Sequence, residues 1–226
     1  MRYYPVNLDI KNRHCLVVGG GKVGLRKVKT LIECGAFVTV VSLEVEGELQ
    51  IMSENKGITI KQRPYRSTDL DGMFLVIGAT DNEDLNRRIS QDAEEINMLC
   101  NIADRPKVCN FILPAIVRRG DLVVTVSTSG KSPAFAKKLK KDLENKFGAE
   151  YAEFLYLMGA VRKKLLNTKH APEAHKHLFE RLIDGNLVDY IRNKDIQAID
   201  ALLLTVLGPG YTFEKLAVSD SQSPGV

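Results

Sequence analysis

Apolar and polar positions fall into blocks along the first half of the chain, and the blocks repeat in the order strand, helix, strand. Residues 16–18 form a β-prone apolar run that stops at three consecutive glycines. Val23, Val28, Leu31 and Ile32 then recur at near-helical spacing until Gly35, which reads as a helix stop. Residues 37–41, Phe-Val-Thr-Val-Val, form a second β-branched run and complete a strand, helix and strand within about thirty residues. Residues 45–57 predict a helix ending near Gly57, and residues 58–60 a third strand. The next run, 74–80, is apolar almost throughout, as a parallel strand covered on both faces should be. A helix over 83–95, capped by Asp81 or Asn82, and a fifth strand over 99–103 follow.

Beyond Val108 the pattern changes. Residues 111–117 lead to the turn Arg118-Arg119-Gly120-Asp121 and a run over 122–126, a strand pair that extends the sheet or reaches a partner. Ser132 is placed as an N-cap with Pro133 at the first position of a helix ending near Gly148. From Ala149 onward no strand pattern survives, and 151–166, 172–183, 187–191 and 196–207 read as helices, the last broken by Gly208-Pro209-Gly210. The expected class is α/β. A Rossmann-type parallel sheet domain over 1–112 precedes a segment over 113–148, a helical C-terminal domain over 149–218 and a tail over 219–226.

Gly19, Gly21 and Gly24 fit the G-x-G-x-x-G spacing of a dinucleotide-binding turn, placed where that turn must lie, between a strand and a helix. The amides at the start of the helix, from Lys22 and Val23 onward, would face a pyrophosphate. Ser42 stands where many such folds carry an acidic residue for the ribose, with Glu44 the nearest carboxylate; a solvated loop residue is the competing reading of Glu44. No arginine sits beside it to take a 2′-phosphate, so NAD is expected rather than NADP. Thr80 ends the fourth strand and is expected near nucleotide, while the side chains of Asp81 and Asn82 are expected to cap. Asp104, at the end of the fifth strand, is the first carboxylate to test as a catalyst, though Asp before Arg-Pro is also a common turn-former. Residues 127–133, Ser-Thr-Ser-Gly-Lys-Ser-Pro, gather hydroxyls, a glycine and Lys131 at a helix start, an anion cradle without the glycine spacing of a Walker loop.

Charge sharpens the picture of that region. The chain of 226 residues carries a net +4, but residues 113–170 hold 12 Lys or Arg against 5 Asp or Glu, so an acidic ligand is expected at the middle of the chain. The four cysteines form no C-x-x-C pair, which with the absence of a secretory signal points to a reduced, cytoplasmic protein. The longest late apolar stretch, 201–207, is too short to span a bilayer, so no membrane partner is expected. No nucleic-acid partner is expected either, because the basic run 137–141 has only Phe135 and Phe147 nearby. His170, His175 and His177 lack the spacing and acidic partners of a metal site and read as a solvent-facing cluster, so no resident metal is expected. Tyr190-x-x-x-Lys194 matches a dehydrogenase dyad but lies outside the dinucleotide domain.

Five motifs occur in a fixed order: 17–24 (Val-Val-Gly-Gly-Gly-Lys-Val-Gly), 79–81 (Ala-Thr-Asp), 100–104 (Cys-Asn-Ile-Ala-Asp), 111–114 (Phe-Ile-Leu-Pro) and 126–133. With them the chain resembles the precorrin-2 dehydrogenase and sirohydrochlorin ferrochelatase family, the N-terminal region of siroheme synthase and its stand-alone relatives, over roughly residues 1–150. The resemblance implies a Rossmann domain, a dimerisation segment and a helical region, and a homodimer. It implies oxidation of precorrin-2 by NAD, and in many members insertion of ferrous iron as a second substrate. It places cofactor contacts at Gly19, Gly21, Lys22, Val23, Gly24, Ser42, Leu43, Glu44, Thr80 and Asp81. It assigns tetrapyrrole contacts to Asn101, Ser127, Thr128, Ser129, Gly130 and Lys131, and catalysis of both reactions to Asp104. Thr128 occupies a position at which some relatives carry a phosphorylated serine, in a loop that departs from their Ser-Ser-Gly-Gly pattern. The glycine turn taken alone also suits a non-catalytic NAD-sensing module, a reading that leaves the 127–133 loop and the basic helix without a purpose.

Overall fold

The computed structural model describes residues 2–55, 57–103, 105–167 and 172–218. The chain divides into two units, Met1–Leu113 and Pro114–Val226, so the strand pair after residue 113 belongs with the C-terminal helices.

The first unit holds strands β1 (His14–Gly20), β2 (Phe37–Val45), β3 (Thr59–Lys61), β4 (Leu75–Gly78) and β5 (Leu99–Ile102), with helices α1 (Lys22–Glu33), α2 (Gly47–Asn55) and α3 (Glu83–Glu95). The five strands are parallel and ordered β3-β2-β1-β4-β5. β1 is buried from Cys15 onward because both of its faces are covered. Cys15 and Val17 point toward Val28 and Leu31 of α1 and Leu49 of α2, while Leu16 and Val18 point toward Ile89 and Ala93 of α3. The strand order reverses between β1 and β4, the point at which open α/β sheets bind ligands beyond the carboxyl ends of the strands.

β5 is an edge strand, yet its free side is shielded from pairing. Asn110 Oδ1 accepts from the Cys100 N–H at 2.8 Å and Nδ2 donates to the Met98 carbonyl at 2.7 Å, so one side chain satisfies the edge that a further strand would take.

The second unit begins with an antiparallel ribbon, β6 (Ala115–Arg119) and β7 (Leu122–Val126), followed by α4 (Pro133–Lys146). Ser132 caps α4 as expected, its hydroxyl accepting from the Phe135 N–H at 3.3 Å. Arg119 closes the other end, donating to the carbonyls of Phe147 at 2.7 Å and Glu144 at 3.0 Å. Helices α5 (Glu150–Leu166), α6 (Pro172–Asp184), α7 (Leu187–Arg192), α8 (Ile196–Leu207) and α9 (Phe213–Val218) share a core that includes Leu157, Val161, Leu182, Leu187, Ile199 and Leu203.

The α/β class with a parallel sheet and a helical second half is found as read from the pattern. Several bounds differ: β4 is shorter than the run over 74–80, α2 lies inside 45–57, and Arg118 and Arg119, expected in a turn, pair within β6. The third strand covers Thr59–Lys61 rather than 58–60, because Ile58 packs into the core ahead of the ladder that Thr59 opens with Thr39. β2 runs on to Val45, so Ser42 and Glu44 lie in the strand and not in a loop after it. His175 is only 5% exposed within the helical unit while His177 is exposed, so these two do not form a solvent-facing pair; His170 and the tail 219–226 lie outside the described residues.

Candidate functional site

The glycine turn between β1 and α1 shows three glycines needed for three different reasons. Gly19 has φ +115°, and a side chain there would strike the Ala79 carbonyl just beyond β4. Gly24 lies in α1, where a side chain would strike the Gly19 carbonyl, so it sets how closely helix and strand approach. Around Gly21 a Cβ would meet nothing within 4 Å. That open space adjoins the start of α1, whose first intrahelical bond runs from the Leu25 N–H to the Gly21 carbonyl at 2.9 Å. The N–H groups of Lys22, Val23 and Gly24 therefore have no intrahelical acceptor, and no side chain caps them. Lys22 is exposed at the first helical position and Val23 half-buried behind it. Donors without acceptors, a positive helix end and room for an approaching group together fit a dinucleotide pyrophosphate.

The carboxyl end of β2 flanks this turn. Gly20 pairs with Val45, and its missing side chain lets the Glu44 carbonyl approach, a requirement that the G-x-G-x-x-G spacing does not register. The Ser42 hydroxyl donates to the Glu44 carbonyl at 2.6 Å, and Gln62 Nε2 donates to the Leu43 carbonyl at 3.1 Å. Ser42 is thus occupied with the backbone, and the exposed Glu44 side chain is the acidic group at this strand end.

On the other side, Asn82 caps α3 by accepting the Leu85 N–H at 2.9 Å, and Asp81 is left exposed. The Thr80 hydroxyl donates to Asn86 Oδ1 at 2.9 Å, and Asn86 Nδ2 returns a bond to the Thr80 carbonyl at 2.8 Å. Asn86 is buried, and this reciprocal clamp fixes the loop bearing Thr80 and Asp81. Its signal was present in the chain: Asn86 sits three and seven residues before the buried Ile89 and Ala93, a polar residue in an apolar stripe. Asn86→Ala is expected to raise the Kd for NAD about tenfold and to cost about 1–3 kcal/mol of stability, since Thr80 loses both bonds to Asn86 and keeps that of its hydroxyl to the Asn82 carbonyl at 3.2 Å. Calorimetry with NAD alongside urea unfolding checks this, and an unchanged Kd would confine the clamp to stability.

Asn101, on β5, is also buried, and its amide donates to the Phe111 carbonyl at 3.0 Å. It braces the covering stretch instead of offering its amide to solvent. Asp104 lies outside the described residues. Its neighbours are placed: the Ala103 N–H donates to the Gly78 carbonyl at 2.8 Å, bringing the chain to the ends of β4 and β5. Arg105 pairs with Glu83 at the start of α3, and the Ser90 hydroxyl donates to the Val108 carbonyl at 2.7 Å. Burial pushes the Cys15 thiol up to about 11 and Cys100 to about 12, which leaves both protonated and unsuited to nucleophilic work.

Ser127, Thr128, Ser129, Gly130 and Lys131 lie in the second unit. They form a tight turn in which the Lys131 N–H donates to the Thr128 carbonyl at 3.0 Å and the Ser132 N–H to the Thr128 hydroxyl at 3.2 Å. Ser129 and Gly130 both have positive φ, 53° and 79°, and Ser129, Gly130 and Lys131 are exposed. The Rossmann residues from Gly19 to Thr80 gather at one end of the sheet; the 127–131 turn is a separate element of its own unit.

Comparison with known proteins bears on both units. Residues 6–115 match an NAD(P)-binding family model, and residues 119–146 match the central domain of sirohaem biosynthesis proteins. The siroheme synthase of Thioalkalivibrio sulfidiphilus is 38% identical over 189 residues, 84% of this chain and 39% of its own length. That of Nitrosococcus oceani is 32% identical over 215 residues, 95% of this chain and 46% of its own. The chain therefore spans less than half the length of these relatives. Among solved structures, SirC, a precorrin-2 dehydrogenase, is similar with a TM-score of 0.73 and 27% identity, covering 88% of this chain and 100% of that one.

Proposed function

We propose that this chain, which belongs to the siroheme synthase family through the N-terminal region of those proteins and their stand-alone dehydrogenase relatives, oxidises precorrin-2 to sirohydrochlorin with NAD. The observation that carries this reading is the extent of the likeness. It covers 88% of the chain, far more than a nucleotide-binding domain, and all of a protein described as a precorrin-2 dehydrogenase.

NAD, when bound, would supply the hydride acceptor for the oxidation of the macrocycle, whose other product is a proton. The chain's own residues divide the remaining work. The Lys22, Val23 and Gly24 amides would hold the pyrophosphate and Glu44 the ribose, with Ser42 and Leu43 shaping that wall, and Thr80 and Asp81 would border the reacting end of the crevice. Asp104, two positions beyond the last residue of β5 in the sequence, takes the released proton as general base. The tetrapyrrole carboxylates meet the exposed 127–131 turn and the basic segment behind it, while Asn101 supports the wall beside β5. Ferrous iron is the second substrate, and its insertion releases two protons for which Asp104 is again the acceptor.

The active form is a homodimer built on the ribbon and α4. α4 buries none of its residues, and Ile116, Val123 and Phe135 are 38%, 47% and 52% exposed, apolar positions that a second copy would cover. No helix among the described residues is long and apolar enough to cross a membrane, and the described cysteines are unpaired, which supports a reducing cytoplasm.

Incubation with precorrin-2 and NAD is expected to give NADH and sirohydrochlorin in equal amounts, and adding ferrous iron to convert the latter to siroheme. NAD binding without turnover would overturn the reading in favour of a sensing module. Asp104→Asn is expected to lower kcat about a hundredfold at unchanged Kd for NAD, and full activity would move the base elsewhere.

A further inference from the structure

Beside the cofactor crevice, a half-open cleft of about 380 Å³ lies between the first turn of α3 and residues 105–108. Its walls include Glu83, Asn86 and Arg87 on one side, Arg105 and Lys107 on the other, with Ile102 at the end of β5 between them. Asn86 belongs to both sites at once. It lines this cleft and clamps Thr80, so the cleft is one side chain away from the loop that borders the reacting end of the crevice.

The charges in the cleft are unequally committed. Glu83 is its one carboxylate among the described lining residues, and it is paired with Arg105, whose hydrogen bond and charge hold the Glu83 carboxyl below its ordinary pKa. That pair ties the 105–108 segment to α3 and commits Glu83 to Arg105 rather than to Arg87 or Lys107. Arg87 reaches only Asp84 at 3.3 Å, both side chains being well exposed, a pair of little strength in water. Lys107 has no carboxylate partner among the described residues. The described lining residues thus carry three cations against one carboxylate above an apolar floor at Ile102, with room for a carboxylate on a short aliphatic arm but not for a macrocycle.

We propose that this cleft is a subsite for one carboxylate arm of the tetrapyrrole, with Lys107 and Arg87 as the groups that bind it. The proposal rests on the precorrin-2 reading above. It adds a specificity element within the first unit, separate from the 127–131 turn: an arm anchored here fixes which part of the ring lies beside Thr80 and the end of β5. Decarboxylated arms, as methyl groups, would leave both cations unpaired and be selected against.

The test compares the full chain with its Arg87→Glu/Lys107→Glu double variant in steady-state oxidation of precorrin-2 at saturating NAD. The expected result is a KM for precorrin-2 raised at least about tenfold, with kcat and the calorimetric Kd for NAD within about twofold, and with Lys107→Arg close to wild type. Should the double variant fail to fold, Lys107→Gln alone is expected to raise KM about threefold. An unchanged KM in an active enzyme overturns the subsite and leaves the dehydrogenase reading standing. A raised Kd for NAD at constant KM overturns it too, by assigning the cleft to the dinucleotide. A wild-type chain that does not oxidise precorrin-2 removes the parent reading itself.

Discussion

Gly21→Asp is expected to abolish NAD binding and turnover while leaving the apo protein as stable as before. The space around Gly21 is empty to 4 Å, and the residue is the N-cap of α1, a position where aspartate is favoured over glycine. Nothing in the fold opposes the new side chain. The dinucleotide does: a carboxylate about 4 Å from a phosphate at an intermediate dielectric costs about 4 kcal/mol, roughly a thousandfold in Kd, before any steric overlap is counted. The new side chain would also accept from an N–H of the first turn that otherwise serves the pyrophosphate.

The same substitution logic gives the opposite outcome three residues later. Gly24→Val drives a branched side chain into the Gly19 carbonyl and toward Val17 Cγ1, so helix and strand must separate. Its cost falls on folding, at about 3 kcal/mol or more, with loss of NAD binding as a consequence. Calorimetry with NAD and urea unfolding of both variants separates the two roles. A Gly21→Asp protein that binds NAD within about tenfold of wild type would show that the pyrophosphate does not occupy this space.

The sequence was most legible where a residue's role is settled by its near neighbours in the chain. The glycine spacing, the apolar runs of β1 and β4, the Ser132 cap and the strand-and-helix order all depend on a few adjacent positions, and they stand in the fold as read. The less legible features depend on residues brought together from afar. Gly20 is required because the Glu44 carbonyl comes to it from β2, a contact fixed by strand register and not by the glycine motif. Asn101 and Asn110 look alike in the chain, yet each spends its amide on backbone ten or twelve residues away, closing the edge of β5. Asn86 stands out in α3 as a polar residue in line with Ile89 and Ala93, but its partner Thr80 is known only from the fold. His175 is expected in a solvent-facing cluster because the histidine spacing does not suit a metal, whereas helix packing turns it inward.

Asp69 shows how such long-range placement supports the site from a distance, and replacing it is expected to be the most damaging change to the first unit outside its glycines. Its carboxylate is 1% exposed and accepts from Arg63 through both oxygens, at 2.5 and 2.8 Å, from Lys61 at 3.3 Å, and from the Arg66 N–H at 3.0 Å. Lys61 ends β3 and Asp69 lies in a short 3-10 turn, Ser67–Leu70, so the cluster ties the edge strand to the crossover leading into β4. Gln62, between these cations, holds the Leu43 carbonyl at the cofactor end of β2. Asp69→Ala removes the buried acceptor shared by Arg63, Lys61 and the Arg66 N–H and is expected to cost about 1–3 kcal/mol.

The pH dependence provides an independent handle on the same cluster. Hydrogen bonds from Arg63, with help from the Arg66 amide and Lys61, hold the Asp69 carboxyl down at about 2. Because the folded value lies below the unfolded one, the stabilisation is complete above about pH 4 and is lost as pH falls through about 2. The difference corresponds to about 2 kcal/mol. Asp69→Asn keeps the shape, removes the charge, and should therefore lose that amount at pH 7 and show no such loss between pH 4 and 2. Hydrogen exchange of the β1 amides, which reports on this unit separately from the helical one, measures both quantities in the full chain. A wild-type protein whose β1 protection is flat from pH 4 to 2 after correction for intrinsic exchange would show that the cluster does not hold the sheet, and the stability of the cofactor end of β2 would have to come from its apolar faces alone.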